Sequence, residues 1–77
     1  GATAITSITA TPTGLDVDFT VTPAASDPVW YDFGDGTWDY VAAPGAASHT
    51  YAAAGTYTVK ATTNGTWVST SVTVTGP

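Results

Sequence analysis

Tyr31-Asp32-Phe33-Gly34-Asp35-Gly36-Thr37 is the stretch whose reading decides the fold, and it is answered downstream by His49-Thr50-Tyr51 and Gly55-Thr56-Tyr57-Thr58-Val59. Tyr31 and Phe33 alternate with Asp32, the period-two pattern of a strand with one face buried. Gly34 and Gly36 offer the positive φ that ends such a strand in a tight turn, and Asp35 between them has a side chain suited to accept backbone N–H groups there. About twenty residues on, Tyr57 and Val59 alternate with Thr56, Thr58 and Lys60 in a second aromatic strand. A strand, a sharp turn and a returning strand of matched polarity are the ingredients of an antiparallel sheet.

Outward from that stretch the same period recurs. Leu15-Asp16-Val17-Asp18-Phe19-Thr20-Val21-Thr22 places Leu15, Val17, Phe19 and Val21 on one face and Asp16, Asp18, Thr20 and Thr22 on the other, as a half-solvated strand requires. Before it, Ile5 to Thr11 reads as a strand ended by Pro12 and turned by Thr13-Gly14. The odd and even positions of Ile5 and Ile8 call for a bulge or a switch between sheets. Pro23 to Pro28 reads as a loop, Val29 to Phe33 as a strand, Trp38 to Val41 as a short irregular strand, and Ala42 to Ser48 as a loose connection. Tyr57 to Thr62 points Tyr57, Val59 and Ala61 inward. Asn64-Gly65 is a two-residue hairpin signal. Trp67 to Thr75 follows, with Val68, Thr70, Val72 and Val74 on one face. Ala52 to Ala54 allow one helical turn at most. Six to seven short strands at this spacing predict an all-β, antiparallel sandwich of about seven strands.

Four segments between Leu15 and Val74 resemble the PKD domain family, whose immunoglobulin-like sandwiches occur in polycystin and many microbial surface proteins. The family pattern runs Trp-Asp-Phe-Gly-Asp-Gly, then His-x-Tyr, then Gly-x-Tyr-x-Val. Asp32 to Gly36 match the first element, His49 and Tyr51 the second, and Gly55, Tyr57 and Val59 the third. Tyr31 stands where the family usually has Trp, and Ala54 replaces a common proline; neither departure threatens the fold. Gly55 to Val59 also falls where an immunoglobulin chain carries its tyrosine corner, with Val59 in place of the second cysteine. The resemblance implies a fold and is almost silent on function, because this architecture hosts many unrelated jobs.

Composition narrows the partners. The chain has 77 residues, no cysteine and a formal net charge of −5, with six Asp, no Glu and a single base, Lys60. A domain of this size buries only about 60% of its unfolded surface, so its stability is modest, and no disulfide or cysteine-derived zinc site compensates. One base cannot neutralise a row of phosphates, which argues against nucleic acid, and against an anionic membrane surface for the same reason. No apolar run approaches the roughly 20 residues of a membrane helix. Of the 33 hydrophobic residues 13 are alanine, so the core must come from the valines, the two isoleucines, Leu15 and the aromatics. Gly1 to Pro77 is read as a single domain, expected to be a piece of a larger protein because Gly1 is not an initiator methionine.

Several residues invite a functional reading. Asp32, Asp35 and Asp39 suggest calcium, but their spacing lacks the alternating carboxylates and closing Glu of a calcium loop. Turn chemistry explains Gly34, Asp35 and Gly36 without a metal. His49 beside Ser48 does not make a hydrolytic pair, because neighbours on a strand face opposite ways; the resemblance places His49 near the Gly-Asp-Gly turn, with its ring bonded to backbone. Asn64-Gly65-Thr66 is a glycosylation sequon, yet the hairpin explains it without assuming a host.

The tryptophans carry the main expectation. With Tyr31 and Phe33 inward, Trp30 faces out; with Val68, Val72 and Val74 inward, so does Trp67. In an immunoglobulin-like sandwich their strands flank Tyr57 to Thr62. Trp30, then Thr58 or Lys60, then Trp67 should form one outward row, extended by Trp38 and Tyr40. Such a row suits stacking on sugar rings or anchoring a protein. The weighed alternative is that each indole covers a loop or folds over a sheet edge. The expected function is a non-enzymatic module, extracellular or on a cell or virion surface. It would need no cofactor, remain monomeric when isolated, and contact or space other proteins. The alternative is a carbohydrate-binding accessory domain of a secreted polysaccharide-degrading enzyme.

Overall fold

A computed structural model describes residues 4–76. Among these the chain forms seven strands: β1 (Ser7–Thr13), β2 (Asp16–Thr22), β3 (Val29–Asp32), β4 (Trp38–Val41), β5 (Ala47–Thr50), β6 (Gly55–Thr63) and β7 (Thr66–Val74). They make a three-stranded sheet in the order β1-β2-β5 and a four-stranded sheet in the order β4-β3-β6-β7, every ladder antiparallel.

The alternation read from the sequence is the alternation of burial. Val17, Phe19 and Val21 are buried from one sheet; Val29, Tyr31, Val59, Ala61, Val72 and Val74 are buried from the other. An antiparallel sheet with one wet face demands this pattern. Phe19 of the first sheet meets Tyr31 and Phe33 of the second at ring-centroid distances of 5.9 and 5.5 Å. Tyr31 is fully buried in the core and donates its hydroxyl to the Gly45 carbonyl. Tyr57 donates to the Ala53 carbonyl at 2.7 Å, four residues back, and Val59 two residues on is fully buried. That is the tyrosine-corner geometry.

Three expectations are corrected. The first strand runs Ser7–Thr13 in unbroken register with β2, with neither a bulge nor a change of sheet. Ile5 is buried from the segment ahead of that ladder, so its parity relative to Ile8 is irrelevant. Pro12 does not end the strand, because β1 is a sheet edge, where an N–H can be absent without breaking a central ladder. The supposed loose connection from Ala42 to Ser48 ends inside β5, whose pairing with β2 sets Val17 opposite His49 and Asp18 opposite Ser48. The turn at Asn64 and Gly65 is as expected, with φ of 54° and 77°.

The molecule measures 42 × 19 × 17 Å. A Cβ at Gly14, where β1 ends, would lie 4.0 Å from the Thr75 carbonyl, just past β7. β1 is seven residues long, so its start is roughly 20 Å away at about 3.3 Å per residue. The start of β1 and the end of β7 therefore stand roughly 20 Å apart.

Candidate functional site

The Gly-Asp-Gly turn is held by its own side chains. Asp32 Oδ1 accepts the Gly34 N–H at 3.1 Å and Asp35 Oδ1 accepts the Thr37 N–H at 3.0 Å, while the Thr37 hydroxyl also donates to Asp35. His49 reaches the turn from β5. Its Nε2 lies 2.8 Å from Asp35 Oδ2 and 3.3 Å from Thr37 Oγ1. The ring is therefore bonded to a carboxylate and a hydroxyl, not to backbone as expected. It stacks flat on Phe33 at 4.2 Å and meets Tyr51 edge-on at 4.6 Å; Tyr51 donates to the Phe33 carbonyl at 2.8 Å. Burial pushes the Asp35 carboxyl up, but the bonds from Thr37 and His49 outweigh that and leave it below the ordinary value. Burial pushes the Tyr51 phenol up to about 12, with the Asp35, Tyr57 and Asp32 charges adding to it.

Ser48 and Thr50, either side of His49, point the other way. They donate to Asp18 Oδ1 at 2.8 Å and Asp16 Oδ1 at 2.6 Å on the outer face of the three-stranded sheet. Ser48 is turned away from the imidazole, and the arrangement is a clasp between a turn and a strand. Among the described residues no group of three or more His, Cys, Asp or Glu side chains is placed to hold a metal ion.

The outer face of the four-stranded sheet is different. Register places Tyr40, Trp30, Thr62 and Trp67 side by side across β4, β3, β6 and β7. One row along lie Trp38, Asp32, Lys60 and Ser69. The residue between the two tryptophans is thus Thr62, not Thr58 or Lys60. The two-residue turn at Asn64-Gly65 forces Thr63 opposite Thr66 and Thr62 opposite Trp67, a constraint already present in the sequence. Trp38, Tyr40 and Trp67 are 65%, 63% and 58% exposed. Trp30 is half-buried beneath its neighbours, with its ring 6.3 Å from Trp38 and 5.6 Å from Trp67.

Trp30 and Trp67 meet at 87°, and with Asp32, Lys60, Val68 and Ser69 they line a notch of about 400 Å³. Asp32 and Lys60 are cross-strand neighbours, yet no ion pair joins them. All five residues singled out in the sequence for an aromatic face (Trp30, Trp38, Tyr40, Lys60 and Trp67) therefore share one surface. What the sequence reading left out is Asp32, which it took only as a turn or calcium candidate. Its even position beside Trp30 was the available signal.

A family model described as PKD domain matches residues 1–75. Among solved structures, the crystal structure of the PKD1 domain of Vibrio anguillarum Epp is similar to this chain at a TM-score of 0.75 and 23% identity, covering 100% of each chain. A search of the curated proteins finds no match.

Proposed function

This chain belongs to the PKD domain family, and from that premise we propose that it is a non-enzymatic module that holds a partner protein on the outer face of its four-stranded sheet and spaces the elements to either side. Domains of this family are immunoglobulin-like and typically extracellular or surface modules; a cell-surface or virion assembly is the proposed setting. The observation that carries the reading is the exposure of Trp38, Tyr40 and Trp67 on one face at 58–65%. Large aromatic side chains left in water together mark contact surfaces, and indoles and phenols dominate the energetics of such contacts. A separation of roughly 20 Å between the start of β1 and the end of β7 suits a spacer. His49 clasped by Asp35 and Phe33, with Ser48 turned away from it, supports the absence of catalysis.

A second reading, carbohydrate binding, is favoured by the notch itself, where two indoles are edged by hydrogen-bonding groups of Asp32, Lys60 and Ser69. A photo-crosslinking amino acid at Tyr40, activated in the native assembly, separates the two. Crosslinks to protein from Tyr40 but not from Thr9, on the opposite sheet, are expected. Crosslinks to glycan alone, or retention on insoluble polysaccharide that vanishes with Trp30→Ala or Trp67→Ala, favour the second reading. Equal protein capture from Tyr40 and Thr9 removes the assigned face.

A further inference from the structure

We infer that the notch between Trp30 and Trp67 receives an arginine side chain of the partner protein, stacked on indole and facing the Asp32 carboxylate. This inference rests on the protein-contact reading and names the chemistry of its partner. Two rings at 87° with centroids 5.6 Å apart form a corner, and Trp38 lies at 46° to Trp30. The three indoles are not a coplanar strip, the shape that the flat face of an extended sugar polymer would need. A corner of two π-faces with a carboxylate on its wall is suited to a planar cation.

Charge favours the same guest. The chain carries six Asp against one Lys or Arg, Lys60, and Asp32 is the carboxylate that lines the notch. Asp32 keeps its turn bond through Oδ1 to the Gly34 N–H while lining the notch. A guanidinium is flat, weakly hydrated and matched to a carboxylate, so it loses less on entering such a corner than an ammonium does. Lys60, the cross-strand neighbour of Asp32 in the same notch, repels the guest, so Asp32 and Lys60 must act with opposite sign on a cation. On a neutral sugar both act as hydrogen-bonding partners, with the same sign.

That contrast is the test. The chain is titrated with N-acetyl-arginine amide and with its neutral isostere N-acetyl-citrulline amide, following the indole N–H signals by NMR. Saturable shifts of Trp30 and Trp67 are expected with arginine, with affinity for citrulline lower by about two- to five-fold. Asp32→Asn, which retains the oxygen that accepts the Gly34 N–H, should weaken arginine binding by a similar factor of about two to five, and Lys60→Gln should strengthen it. Equal response to both amides, or Asp32→Asn and Lys60→Gln moving affinity in the same direction, overturns the inference. If protein crosslinks from Tyr40 persist when arginine shows no preference, only this inference falls. If Tyr40 captures glycan alone, the protein-contact reading falls with it.

Discussion

A Cβ built on Gly34 would stand 2.2 Å from the Thr58 carbonyl oxygen on β6, with φ at +80°. Neither the backbone conformation nor the space admits a side chain, because the obstacle is main chain and cannot swing aside. Gly36 has φ of +91° but nothing within 4 Å. The two glycines of the turn should therefore separate in chemical denaturation. Gly36→Ala should lose only about 1 kcal/mol, the left-handed penalty of an L-residue; Gly34→Ala should lose about 3 kcal/mol or more, since overpacking adds to that penalty. Tyr57→Phe, which removes the bond to Ala53, should destabilise by about 1 kcal/mol. The Asp35 carboxylate lies below its ordinary value of 3.8 through its bonds to Thr37 and His49. A depressed carboxyl stabilises the fold above its unfolded pKa and loses that contribution as pH falls through the folded one. Its carboxyl carbon should accordingly titrate below pH 3.8, with stability declining below about pH 4 as it protonates. A midpoint at or above 3.8 would contradict the clasp.

Strands and turns show where local pattern suffices. The β6–β7 hairpin is legible because Asn64-Gly65 dictates both the turn type and the register, and with it the pairing of Thr62 and Trp67. β2 is legible because one face is all apolar and the other all Asp and Thr. β5 is not, because Ala47-Ser48-His49-Thr50 has no apolar alternation. It becomes a strand by pairing Asp16 to Phe19 of β2 and by the anchoring of His49 on Phe33 and Asp35. β4 and the connection after it depend similarly on Tyr31, whose buried hydroxyl bonds Gly45. Tyr31→Phe would leave that carbonyl without this donor and should destabilise by about 1–3 kcal/mol. Amide exchange across β4 and the Ala42–Ala46 connection should quicken more than across β6–β7. Uniform quickening would place the effect in the core.

At the scale of the whole molecule, two buried phenols set an alkaline limit. Burial pushes Tyr31 to about 12, and burial with nearby carboxylates pushes Tyr51 to about 12. A group whose folded pKa is raised stabilises fully below its unfolded value near 10 and loses that contribution as pH rises through the folded one. Stability should thus fall between about pH 10 and 12. Site-resolved NMR should show Tyr31 and Tyr51 ionising only toward the top of that window, and ionisation of either ring at pH 10 in the folded chain would refute its burial. The sequence by itself determined the sandwich, its inward faces and the outward parity of Trp30 and Trp67, because period-two alternation and turn chemistry are local. Only the tertiary structure decided that Trp30 pairs with Thr62, that Trp30 lies half-covered in a corner with Asp32, and that His49 clasps Asp35. Those facts depend on strand order, twist and ring orientation, which arise from contacts between segments far apart in the chain.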